Sequence, residues 1–147
     1  MLHKCNPKSQ DALNECAMLG KSLNRFSETT ILTILAKNHK PLHGYIIVQL
    51  AEDSPMFAGS KPNAAGIYRT LKKMEDGGLL SSQWSTPKDG SAKRLYTITD
   101  QGLLALRRWV DALACYSYTL ELLRKDACAA LEIEIPELPE CYEDPCE

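Results

Sequence analysis

Residues 63–80 read Asn63-Ala-Ala-Gly-Ile-Tyr-Arg-Thr-Leu-Lys-Lys-Met-Glu-Asp-Gly-Gly-Leu-Leu80. Ala64, Ile67, Leu71 and Met74 recur at steps of three and four, the spacing that lines one side of a helix. Tyr68, Arg69, Lys72 and Lys73 fall on the other side, with the small Ala65 and Gly66 near the start. Cationic side chains are not buried without partners, so this second face meets water or a polyanion. The glycines after Asp76 end the helix. An apolar back with a basic, small-residue front suits close approach to a DNA major groove. An ordinary solvated helix face has the same signature.

The whole chain sets the frame for that helix. It has 147 residues, 44% of them hydrophobic and 24% charged, which fits one soluble domain with appendages. No apolar run is long enough to span a bilayer, and the N-terminal residues lack a secretory pattern, so no membrane partner is expected and the expected location is cytoplasmic. The net charge of -2 conceals an asymmetry. Residues 21–109 carry thirteen bases against seven acids, and residues 110–147 carry two bases against ten acids. The middle is therefore the part suited to a polyanion.

In chain order, residues 9–21 predict a modest helix with Leu13, Cys16 and Ala17 inward. A stronger helix follows, with Ser27 as N-cap, Glu28 in its positive first turn and Phe26 stapled to Ile31. It ends near Asn38, before Pro41. Leu42-His43-Gly44-Tyr45 opens a second helix to about Glu52. Residues 53–62 hold two prolines and a glycine and read as a loop. After the basic helix, Leu80–Ser85 and residues 93–99 alternate as two strands around a turn with Asp89-Gly90 at its tip. The pattern predicts a mainly α fold with a small β-hairpin. Helix, helix, basic helix and hairpin is the order of a winged helix-turn-helix, and a long C-terminal helix is appended to it. In that arrangement the third helix enters the major groove and the wing straddles the adjacent backbone.

Four stretches in this order resemble the PadR family of bacterial transcriptional regulators. They are Leu-His-Gly-Tyr at 42–45, Gly-Ile-Tyr-Arg-Thr-Leu-Lys-Lys-Met-Glu at 66–75, Gly-Leu-Leu at 78–80 and Lys-Arg-Leu-Tyr-Thr-Ile-Thr-Asp-Gln-Gly at 93–102. The resemblance implies a dimeric winged-helix DNA binder, usually a repressor released by a small molecule, in the shorter subclass with a single C-terminal helix. The chain departs from the family pattern at Asn63, where serine is common, and at Arg69, where proline is frequent. It also shows Gly90-Ser-Ala where the wing entry is usually Gly-Arg-Pro. These positions bear on which operator is read.

The last helix begins at Thr99, a good N-cap. Leu103, Leu106, Val110, Leu113 and Leu120 form a heptad-like seam, expected to pack against a second copy. A fold-back onto its own domain is the alternative. Trp109, Tyr116 and Tyr118 are candidates for an effector pocket that would take a small, flat aromatic molecule. The expected organisation is an N-terminal extension (1–24), a DNA-binding domain (25–99), a dimerisation helix (100–131) and an acidic tail with prolines and cysteines (132–147).

The expected DNA-contacting residues are Asn63, Ala65 and Gly66 at the helix entry, Tyr68, Arg69 and Lys72 in the major groove, and Lys88, Lys93 and Arg94 on the wing. The expected partner is a double-stranded DNA operator. Six cysteines lie outside the basic middle, at Cys5, Cys16, Cys115, Cys128, Cys141 and Cys146, with no Cys-x-x-Cys pair. Cys16, Cys115 and Cys128 read as buried small apolar residues. His39 and His43 have no nucleophile or carboxylate placed with them, and no phosphate loop occurs. No enzyme activity, metal or cofactor is implied. Two other functions fit the same residues: a winged-helix assembly module without DNA binding, and a regulator that senses thiols or metals through its terminal cysteines.

Overall fold

The computed structural model describes residues 26–54, 63–88 and 90–135. In chain order they form α1 (Ser27–Asn38), β1 (Leu42–His43), α2 (Gly44–Glu52), α3 (Ala64–Asp76), β2 (Leu80–Ser85), β3 (Lys93–Ile98) and α4 (Asp100–Ala130). The expected helix at 9–21, Cys5, Cys16, Cys141 and Cys146, the wing tip at Asp89 and the tail from residue 136 lie outside the described residues.

α3 buries the face its spacing marks. Ile67, Leu71 and Met74 are almost wholly covered, while Ala64, expected beside them, is exposed in the first turn. They pack with Ile31, Leu32 and Leu35 of α1 and with Ile47, Val48 and Ala51 of α2. Leu80 and Tyr96 close the core from the sheet side. α3 ends as its paired glycines require. Gly78 takes φ 74°, its N–H bonds to the Glu75 carbonyl at 2.9 Å, and the Leu79 N–H bonds to the Met74 carbonyl at 2.9 Å. This is a Schellman cap, and it turns the chain directly into β2.

The wing is a three-stranded antiparallel sheet in the order β1-β3-β2, not a plain hairpin. Leu42 pairs with Tyr96 and His43 with Leu95, so Leu42 and His43 form a strand where the second helix was expected to open. The helix begins at Gly44 instead. Two residues show no period of their own, and β1 exists because β3 offers an edge for it. The β2–β3 register pairs Leu80 with Ile98 and Trp84 with Arg94.

The start of α1 also departs from expectation. Ser27 lies inside the helix and Phe26 holds the N-cap position without a side-chain cap bond. The Thr30 hydroxyl donates to the Phe26 carbonyl at 3.0 Å. The Thr99 cap of α4 is as expected, with Thr99 Oγ1 accepting from the Gly102 N–H at 3.1 Å. Here α4 crosses the turn that follows α3 at backbone distance. A methyl group on Gly102 would run into the Leu79 carbonyl and lie 2.7 Å from Ile98 Cγ1. Glycine at 102 thus sets where the long helix leaves the domain.

Candidate nucleic-acid interface

Burial of Ile67, Leu71 and Met74 fixes the rotation of α3 about its axis. Tyr68, Arg69, Lys72 and Lys73 consequently face outward, and all four are exposed. Asn63 caps the helix, its Oδ1 accepting from the Ala65 N–H at 3.1 Å. That bond occupies the Ala65 amide, which was expected near a phosphate. Gly66 is open on its outer side. A methyl built there would meet nothing nearer than Asn63 Cβ at 3.7 Å, so internal packing does not demand a glycine at this position.

Tyr68 is held from below. Its ring lies over Gly44, where an added methyl would stand 2.7 Å from Tyr68 Cε1. Gly44 therefore serves as the floor beneath one ring face, and the phenol remains half exposed at the front of α3. The glycine in Leu42-His43-Gly44-Tyr45 thus has a packing reason.

On the wing, Lys88 and Lys93 are exposed. The Lys93 ammonium sits 5.4 Å from the centre of the Tyr45 ring, and His43 stacks on that ring at 5.9 Å. Arg94 was expected, like Lys93, to contact the DNA backbone. In the structure its half-buried side chain is held by two neighbouring elements. Its Nη2 is 2.6 Å from Glu75 Oε2, and its Nε donates to Ser82 Oγ at 2.7 Å. The Ser82 hydroxyl in turn donates to Glu75 Oε1. The guanidinium also lies 5.6 Å from the Tyr96 ring centre and 5.8 Å from that of Trp84.

The family model described as the transcriptional regulator PadR-like family matches residues 31–108, which run from α1 through the wing into α4. The chain belongs to this family. Solved structures share the fold. A PadR family transcriptional regulator from Eggerthella lenta DSM 2243 is 23% identical, with a TM-score of 0.60 over 78% of this chain and 96% of that one. A PadR-like transcriptional regulator from Bacillus cereus strain ATCC 14579 is 22% identical, with a TM-score of 0.57 over 70% of this chain and 95% of that one. A protein from Streptococcus mutans UA159 is 26% identical, with a TM-score of 0.55 over 67% of this chain and 85% of that one. A comparison with curated proteins finds no match.

In this PadR-like regulator, α4 divides its apolar residues between two tasks. Leu106 and Trp109 pack on the core of their own domain, and Leu113 lines a groove of about 350 Å³ beside Phe26, Thr33, Ile34 and Leu50. This inner part of the expected seam faces its own domain. Leu103, Val110 and Leu120 are exposed, at 47%, 60% and 60%. Leu120 continues the Leu106–Leu113 row, and among the described residues nothing covers it.

The three aromatics proposed for an effector pocket do not form one group. Trp109 and Tyr116 both meet Phe26 edge to face, at 6.3 and 5.8 Å. Trp109 Nε1 points at Glu28 Oε1, 3.5 Å away. Tyr118 lies two residues beyond Tyr116, on another side of the helix, and is 68% exposed. Phe26, read from sequence only as a staple, is the residue that joins the other two. Cys128 is buried as expected, but Cys115 is exposed. No group of three or more His, Cys, Asp or Glu side chains among the described residues could hold a metal, and no described helix is long and apolar enough to cross a membrane.

The other residues that sequence reasoning missed are Glu75, Ser82, Tyr45 and Trp84. Glu75 and Ser82 act through Arg94, at separations of 19 and 12 residues, which no local period reports. Trp84 was read as part of an alternating strand, yet it is 67% exposed.

The same geometry acts on Tyr96. Burial holds its phenol above the usual value of 10.0, against the opposing pull of the Arg94 guanidinium, and Glu75 adds to the rise. The phenolate is thus disfavoured more in the folded chain than in the unfolded one. The stability this supplies is complete below about pH 10 and is lost as pH rises through the folded value. Tyrosinate absorbance should show a component that titrates above the ordinary tyrosine value, together with loss of the fold. Tyr96→Phe should remove that late component; its persistence in this variant would place the shifted group elsewhere.

Proposed function

We propose that the chain is a homodimeric repressor that binds an operator in double-stranded DNA through α3 and the wing. The observation that carries this reading is the single orientation of α3, with its apolar face fixed in the core and Tyr68, Arg69, Lys72 and Lys73 turned out together. Membership in a family of transcriptional regulators supports it. Arg69 and Lys72 read base edges, Tyr68 packs against the groove wall, and Lys88 and Lys93 meet phosphates. Asn63 and Gly66 border the closest approach to the backbone.

The dimer reading rests on the uncovered side chains of α4. Leu103, Val110, Leu120 and Leu123 leave more apolar area in water than a lone helix face favours, and a twin α4 would cover it. The effector reading concerns the site where α1 meets α4. A flat, largely apolar or phenolic molecule inserted beside Phe26, Trp109 and Tyr116 would change the angle at which α4 leaves the domain. Two recognition helices must lie about one DNA turn apart, so that change would release the operator. The ligand must favour the released state to have this effect.

Gly66 gives a test in which stability and binding move in opposite directions. Glycine inside a helix is less favourable than alanine by about 0.5 to 1 kcal/mol, and the site has room for a methyl. Gly66→Ala should raise the melting temperature and weaken binding to a duplex that the wild-type chain selects from a randomised pool. Arg69→Ala and Lys72→Ala should each weaken that binding by about 1 to 3 kcal/mol, with the melting temperature almost unchanged. Wild-type affinity in all three variants would remove α3 from the interface.

Leu120→Glu tests assembly without touching the core, because Leu120 is exposed in the single chain. The variant should keep its helical content and become monomeric in light scattering. A stable Leu120→Glu dimer would place the twin's contact elsewhere on α4.

A further inference from the structure

We infer that Arg94 is a positioning residue that locks the wing to the recognition helix and takes no part in phosphate binding. The inference rests on the reading that α3 and the wing meet DNA. Arg94, Glu75 and Ser82 close a triangle across three elements. Glu75 stands in the last turns of α3, Ser82 on β2 and Arg94 on β3. Arg94 Nη2 to Glu75 Oε2 is 2.6 Å and Arg94 Nε to Ser82 Oγ is 2.7 Å, while the Ser82 hydroxyl donates to Glu75 Oε1. Each carboxylate oxygen thus accepts one directed bond. The guanidinium rests near the ring of Tyr96, a core residue. Such a planar fork is suited to carboxylate geometry, and it stays charged at every accessible pH.

A full swing of Arg94 towards a phosphate would take it off Glu75. That would strand a half-buried carboxylate beside a polyanion, where like charges repel. Kept in place, Arg94 neutralises Glu75 at the surface that approaches DNA. It also sets the angle between β2–β3 and α3, and so decides where Lys88 and Lys93 strike the backbone. Lys93, next in the chain, has the opposite role. Its exposed ammonium lies over the Tyr45 ring and can turn from there to a phosphate. Adjacent residues on one strand point to opposite faces, which is how two neighbouring cations divide the work.

The test compares Arg94→Ala, Arg94→Lys, Lys93→Ala and the exchanged pair Glu75→Arg with Arg94→Glu. Each is titrated with salt against a duplex selected by the wild-type chain and against the unselected pool. Amide hydrogen exchange in β2 and β3 is followed in the DNA-free proteins. Lys93→Ala should reduce the salt slope by about one, as loss of a phosphate contact does. Arg94→Ala should leave the slope unchanged, lower discrimination between selected and random duplex several-fold, and speed amide exchange in the wing. Arg94→Lys should resemble Arg94→Ala, because an ammonium does not reproduce the fork. The exchanged pair should recover wing protection and part of the discrimination. A slope lower by about one in Arg94→Ala, with wing exchange unaltered, would overturn the inference. So would an exchanged pair that is worse than either single change. Failure of the wild-type chain to select any duplex would instead overturn the DNA-binding reading, and the lock would then be judged on exchange alone.

Discussion

Ile67, Leu71 and Met74 sit at the centre of the core, and their burial removes the freedom of α3 to rotate about its own axis. Each such side chain contributes about 1.5 to 3 kcal/mol when fully covered, against a total stability for a typical domain of about 5 to 15 kcal/mol. A turn of α3 by half a revolution would expose all three and bury lysines, a cost that no contact among the described residues offsets. The direction of Tyr68, Arg69 and Lys72 is therefore a consequence of core packing. The remaining structure refines that direction. Gly44 leaves room for the Tyr68 ring, the Schellman cap after α3 aims the chain into the wing, and Gly102 lets α4 pass over that cap.

Two kinds of positive charge result. The lysines on α3 and the wing are exposed, with flexible stems and an ammonium that suits a phosphate. Arg94 is half-buried and bound to a carboxylate, with aromatic rings on the same side of the sheet. In the proposed interface, electrostatic attraction to DNA rests on the first kind and the geometry in which it acts on the second. Counting basic residues in the middle of the chain treats them alike, and their partners separate them.

The elements with a period or a local cap were legible in the sequence. α3 follows from apolar spacing, β2 and β3 from alternation around a glycine turn, and the start of α4 from the Thr99 cap. The parts that were not legible depend on distant partners. β1 has two residues and pairs with β3 some fifty positions away. The Arg94–Glu75 pair spans 19 residues. The apolar row on α4 reads the same whether it covers its own domain or a twin, and the fold assigns Leu106 to the first and leaves Leu120 exposed. The orientation of α3 was readable because one helix carries both its buried and its exposed face. On the wing, the partners of Arg94 were not readable, because strand alternation gives the side of a residue and not its partner.

The most direct test of the account is the salt dependence of wild-type binding to a duplex enriched from a randomised pool. An interface built on Arg69, Lys72, Lys88 and Lys93 from two chains displaces several counterions. The logarithm of the affinity should then fall linearly and steeply with the logarithm of salt concentration. An affinity that does not change with salt, or a pool from which no duplex is enriched, would contradict the claim that the fixed outer face of α3 is a DNA-reading surface.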